Sequence, residues 1–253
     1  MKLASAIALL MAMSSLHAAP TLALGDNESL LYHVSWVVLP GAGEITVSAH
    51  SAHDALGAPQ MRIVTTTATR GLARLLLTFD ARAESLFDMN SGRLLWLGES
   101  SDLNMDKAAH TVVFDYSKRT ANYTNGMASA PPRPLRMPDG NPTDLITCLL
   151  VARTWNLRPG GQRDALVLFN DDFYELTIHA RGYEQLTTPL GTFNTLVLEP
   201  RMEKTPPLGM FKRGSTVRVW IAQDDRHLPV RFQVHFKFGS GVATLVGYRP
   251  PAR

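Results

Sequence analysis

His50, His53 and Asp54 form the one local grouping of metal-binding residue types in the chain. A zinc held by two imidazoles can activate water, but the familiar arrangement needs H-E-x-x-H on a helix, so that both rings share a face. His50-Ser51-Ala52-His53 lacks the glutamate and the helix. It reads as a solvated loop at a strand end, and no metal or other cofactor is expected. A serine nucleophile would sit in a G-x-S-x-G turn between strand and helix, and none exists. Gly239-Ser240-Gly241 reads instead as a turn between two strands.

Cys148 is the only cysteine, so no internal disulfide can form. It lies beside Leu149 and Leu150 in a helical stretch, where cysteine usually serves as a small buried hydrophobe. The pairs Asp171-Asp172 and Asp224-Asp225 fall at turns, which favour aspartate for its local hydrogen bonds. A hydrolase of cell-wall or polysaccharide material would need carboxylates from separate segments, such as Asp172, Glu175, Glu199 or Asp224, to converge in one cleft. There is no Gly-rich phosphate loop or dinucleotide fingerprint. No catalytic residue is assigned, and the reading leans away from an enzyme.

Binding residues are easier to name. Pro206-Pro207-Leu208-Gly209-Met210-Phe211-Lys212-Arg213-Gly214 sets two large apolar side chains beside two cations. Met210, Phe211, Lys212 and Arg213 would suit an amphiphilic ligand or a lipid surface. They would equally suit a long hairpin connection folded back over the core. Leu149 and Trp155, on the apolar face of the helix, complete the expected ligand-contacting set.

These residues must be positioned by strands. Val230, Phe232, Val234, Phe236 and Phe238 alternate with Arg231, Gln233, His235 and Lys237, which predicts a strand with one buried and one wet face. Leu30, Tyr32, Val34, Trp36 and Val38 make a similar stripe. Ile45-Val47-Ala49 follows the Pro40–Gly43 turn, so the first two strands read as a hairpin. Candidate strands recur to the end of the chain, at 61–69, 73–80, 93–99, 111–116, 119–124, 164–169, 173–180, 192–200, 216–221 and 243–248. About a dozen strands predict a mainly β fold, with a curved antiparallel sheet.

One segment differs. Asn141 as a cap, Pro142 in the first turn and Asp144 near the positive end of the dipole predict one helix over about 142–157. Arg158-Pro159-Gly160-Gly161 stops it. The Pro-rich stretch 126–142 reads as a crossover loop, or as a ligand for a partner domain.

The start of the chain bears on compartment. Lys2, an apolar run from Leu3 to Met13 and the small residues through Ala18-Ala19 predict a signal peptide cleaved after Ala18. The roughly 235 residues beyond it suit one large domain over 19–253. No later stretch is long and apolar enough for a membrane helix. The net charge is only +3 and the basic residues are scattered, so nucleic acid is not an expected partner. The expected location is the periplasm.

The second half carries motifs of a known kind. Thr143-Asp144-Leu145-Ile146, Thr188-Pro189-Leu190-Gly191-Thr192-Phe193, Gly209–Gly214, and Val219-Trp220-Ile221-Ala222-Gln223-Asp224-Asp225 with Leu228-Pro229-Val230 resemble the exported bacterial family catalogued as domain of unknown function 3108. The resemblance spans about 29–248. Cys148, Leu150 and Gln223 depart from the residues usual in that family. It implies a half-barrel or open barrel similar to periplasmic lipoprotein carriers, with an apolar hollow around a helical plug. It transfers no catalytic residue. The leading expectation is a non-enzymatic periplasmic protein that binds an amphiphilic or lipid-like ligand or supports outer-envelope assembly. The alternatives are a scaffold that holds an envelope protein through a strand edge or the Pro-rich loop, and the carboxylate-dependent hydrolase.

Overall fold

The computed structural model describes residues 24–37, 39–208, 211, 215–236 and 239–252. The segment read above as a signal peptide lies outside them. Among the described residues, fifteen strands form one sheet. In chain order they are β1 Ser29–Trp36, β2 Leu39–His53, β3 Pro59–Thr69, β4 Phe79–Asp88, β5 Leu94–Leu103, β6 Asp106–Asp115, β7 Thr120–Asn125, β8 Arg133–Arg136, β9 Pro142–Asp144, β10 Gln162–Phe169, β11 Asp172–Thr188, β12 Gly191–Arg201, β13 Thr216–Ala222, β14 Pro229–Phe236 and β15 Gly239–Arg249. The spatial order is β8-β7-β6-β5-β4-β3-β2-β1-β15-β14-β13-β12-β11-β10-β9. All neighbours are antiparallel except β9 and β10. The two ends of the chain therefore meet mid-sheet, where β1 pairs with β15.

The apolar stripes face the core as their period requires. Leu30 and Tyr32 on β1 and Val230 on β14 are fully buried. Tyr32 Oη donates to Pro229 O at 2.8 Å, which satisfies its polar tip inside the core. Further along the same stripes, Val34, Trp36, Phe232, Val234 and Phe236 are only half-buried. That change along one face is the first sign of a hollow.

The helix is shorter than the sequence suggests and starts later. Residues 142–144 are β9, paired in parallel with β10 from Leu166↔Pro142 to Leu168↔Asp144. Pro142 has no N–H and tolerates an edge position, so pairing claims the three residues that the helix would have used. Asp144 becomes the cap, its Oδ1 accepting from Thr147 N at 2.8 Å, and α2 runs Leu145–Val151. A 3-10 turn, Ala152–Thr154, completes it. Ser85 Oγ on β4 donates to the other Asp144 oxygen at 2.7 Å, which ties the helix start to the sheet.

A second helix, α1 Gly71–Leu76, replaces the first part of the strand expected over 73–80. Gly-Leu-Ala-Arg-Leu-Leu has no period of two, and leucine, alanine and arginine are strong helix formers. The Pro-rich crossover contributes the short edge strand β8.

α2 lies between two clusters of buried side chains. Leu150 packs into the larger one with Leu30, Tyr32, Ile63, Phe87, Leu97 and Val112. Cys148, Leu149 and Ala152 pack into the other with Ile178, Leu198, Val219 and Ile221. A buried ion pair fastens the far end of the helical segment. Arg153 Nη1 meets Glu28 Oε1 at 2.8 Å, and Arg153 Nη2 donates to Arg226 O at 2.9 Å.

The antiparallel register collects several connections at one end of the sheet. Val37 N donates to Ser240 O, Arg70 N to Ala42 O, Asn104 N to Thr78 O and Gly126 N to Ala109 O, which stitches successive tips together. At Gly239, φ is +143° and an added Cβ would lie 2.3 Å from Val37 Cγ2, so only glycine fits this join. Val37, Leu72, Leu75, Leu76, Met105 and Met127 stand exposed along this end, with Leu75 82% and Met105 89% accessible.

Candidate functional site

Two hollows flank the first turn of α2 at this apolar end. The first is an apolar cleft of about 280 Å³. Tyr32, Val34 and Trp36 of β1, Ile45 and Val47 of β2, Phe232, Val234 and Phe236 of β14, and Leu145, Ile146 and Leu149 of α2 supply most of its wall. Among the described residues, no charged side chain lines it. Tyr32, the one lining residue with a hydroxyl, has that group engaged at Pro229, and burial raises its pKa well above the usual phenol range. The volume lies near the low end of the roughly 300–1,000 Å³ of small-molecule sites.

The second hollow, about 290 Å³, lies against the inner face of β3 to β6. Its wall is mainly apolar, with Phe79, Ala81, Ala83, Ala108, Ile146 and Phe169, and Thr65, Thr67, Ser101, Glu99 and His110 set polar groups into it. Glu99 and His110 face each other across β5 and β6. His110 is 8% exposed and stacks on Tyr123, with centroids 5.1 Å apart. Ile146 lines both hollows and stands between them.

A larger cavity of about 400 Å³ is bordered by Arg153, Arg158, Gln223 and His227. Its lining lacks the uniform character of the cleft, and Arg153 is already neutralised by Glu28.

The residues named from sequence are dispersed. Leu149 lines the apolar cleft. Trp155 does not; it carries the Arg163 guanidinium over its ring at 5.0 Å and borders another cavity with Cys148 and Val151. Phe211 packs near Tyr174, with centroids 6.4 Å apart, in the second cluster. Met210, Lys212 and Arg213 lie outside the described residues. The stripe residues Trp36, Val234 and Phe236 carry the cleft instead. Alternation identified their face, but cannot tell a filled interior from a hollow one.

The chemical candidates are also placed. His50 and His53 belong to β2, not to a loop, and a separation of three puts them on opposite faces. No group of three or more metal-ligating side chains occurs among the described residues. Burial pushes the Cys148 thiol up to about 12. Asp224 is taken by Arg226 and the turn amides of Arg226 and His227. Glu199 is buried on β12 and meets Arg181, Arg201 and Arg218. Neither Asp172, Glu175, Glu199 nor Asp224 lines any of these hollows.

Fold and hollows together define a barrel-like, mainly β protein with a helix packed against its inner side. The chain belongs to DUF3108, a protein family of unknown function, which it matches over residues 31–246. No curated protein matches its sequence. Among solved structures it is similar to a β-barrel-like protein of the DUF1849 domain family from Brucella abortus, with 6% identity over 90% of this chain and 98% of that one and a TM-score of 0.56. It also matches a protein described as a lipoprotein from Parabacteroides distasonis, at 9% identity over 90% and 99% of the two chains, with a TM-score of 0.37. A third match, described as an exported protein of YmcC-like fold from Bacteroides fragilis, shows 12% identity over 89% and 97%, with a TM-score of 0.35.

Proposed function

We propose that this is a non-enzymatic periplasmic protein that accepts the hydrocarbon chain of an amphiphile in the cleft beside α2. The carrying observation is the wall of that cleft: five strands and one helix contribute apolar groups to a hollow of about 280 Å³. Such a wall offers nothing to a reacting group, but it does offer apolar area. Each methylene removed from water contributes roughly 0.8 kcal/mol, so a short acyl segment can be held without any special residue.

The exposed leucines support the same reading. Leu72, Leu75 and Leu76 stand on α1, a helix with no buried side chain, at the end of the sheet that also bears Trp36 and Phe236. Side chains of this kind enter the interfacial layer of a bilayer readily, where an amphiphile would be taken up. A scaffold role through a strand edge has less support. The edge strands β8 and β9 have four and three residues, and each contains a proline, a pattern that discourages strand addition.

The test is gentle purification of the mature protein followed by native mass spectrometry and lipid analysis. A co-purifying single-chain amphiphile, displaced by added dodecanoate, is the expected result. A ligand-free protein that takes up no alkyl chain overturns the proposal.

A further inference from the structure

The hollow beside the cleft holds polar groups with unspent hydrogen-bonding capacity. His110 Nε2 lies 3.2 Å from Glu99 Oε2, yet no described group makes a hydrogen bond with it, because the carboxylate sits off the ring's hydrogen-bonding direction. A ring nitrogen so deeply buried, with no aligned hydrogen bond among the described residues, is unusual in a fold. It lines a hollow large enough for a group that would satisfy it.

Charge narrows what that group is. Among the described residues, Arg82 and Glu99 are the guanidinium and carboxylate groups that line the hollow with His110. Arg82 donates to Glu84 Oε2 at 2.9 Å, so its charge is already answered. Among the described residues, Glu99 meets only the misaligned imidazole. Its side chain is 22% exposed and borders the hollow, where a cation can meet it with charge-assisted hydrogen bonds. The hydroxyls of Thr65, Thr67 and Ser101 ring the same space and can accept further N–H groups.

We infer that the hollow lined by Glu99 and His110 is a head-group chamber for an ammonium, and that the ligand of the adjoining cleft is an amine-headed, single-chain amphiphile. The inference rests on the acyl-binding role proposed above. Ile146 borders both spaces, so a chain lying in the cleft can present its head past this residue to Glu99. The ammonium donates to the Glu99 carboxylate and to His110 Nε2, whose imidazole then carries its proton on Nδ1.

The probes are dodecylamine and dodecanoate, which share a chain and differ in the sign of the head. Their affinities for the mature protein are read by displacement of a fluorescent alkyl probe. Dodecylamine is expected to bind at least about tenfold more tightly, and Glu99→Gln to remove most of that advantage while leaving dodecanoate no weaker. Equal binding of the two chains, tighter binding of dodecanoate, or an unchanged preference in E99Q would overturn the head-group assignment while leaving the acyl cleft standing. Failure of both chains to bind would remove the cleft itself as a ligand site, and the chamber with it. The comparison in the unaltered protein needs no variant, so it decides the matter even if E99Q folds poorly.

Discussion

Replacing Val234 by phenylalanine separates a hollow interior from a filled one. Val234 projects into the apolar cleft from β14 and is half-buried. The exchange adds four carbon atoms to a space of about 280 Å³. In a close-packed core, added carbons force neighbours off their rotamers and cost about 1–3 kcal/mol of stability. In an open apolar cleft they find room and remain out of water, so the ligand-free protein should keep its urea midpoint or gain slightly. Binding moves the other way. Three or four methylenes of the ligand lose their place, and at roughly 0.8 kcal/mol each this amounts to about 3 kcal/mol, or on the order of a hundredfold in affinity. Urea denaturation of the ligand-free protein and displacement of a fluorescent alkyl probe measure the two effects separately. A variant that is clearly destabilised yet binds the probe as tightly as before would refute the reasoning, because the side chain would then be packed tightly and the ligand held elsewhere.

Three further outcomes follow from groups outside the cleft. Arg153→Ala leaves Glu28 buried without its counter-charge and should cost about 3–5 kcal/mol, read from chemical denaturation; a loss below about 1 kcal/mol would mean that the pair does not join the helical segment to β1. Cys148, with its thiol raised to about 12 by burial, should be silent to a thiol reagent at pH 8 and react only in denaturant; prompt modification of the folded protein would contradict its place in the core. Burial opposes ionisation of Glu199, but hydrogen bonds from Arg181 and Arg201 outweigh it and hold the carboxyl below the usual glutamate range. A lowered folded-state pKa gives stability that is present above the unfolded value and lost as pH falls through the folded one. Stability should therefore decline on acidification below the ordinary glutamate range, and Glu199→Gln should flatten that decline; an identical acid profile in both proteins would exclude this contribution.

Local pattern made much of the architecture legible. The alternation in Leu30–Trp36 and Val230–Phe236 specified strands and their inner faces, because a period of two leaves a strand one way to hide its apolar side. Helix α2 was legible through Leu145 and Leu149 together with the Arg158–Gly161 stop. Its start was not, because whether Pro142, Thr143 and Asp144 extend or coil depends on a partner strand 24 residues away in the pairing Leu166↔Pro142. Helix α1 was read partly as strand, since a short apolar run has too few turns to declare its period.

The site follows the same division. By itself the sequence determined an antiparallel sheet, one helix laid on it, no local catalytic motif, and a family whose motifs lie in the second half of the chain. Only tertiary structure decided that Val34, Trp36, Val234 and Phe236 border open space while Leu30, Tyr32 and Val230, on the same stripes, are sealed. Only register set Glu99 opposite His110. An apolar side chain is written the same way whether it meets a neighbour or a void, and a carboxylate the same way whether its partner is aligned. Both distinctions depend on where distant strands come to rest, and that is fixed by the packing of the whole sheet around α2.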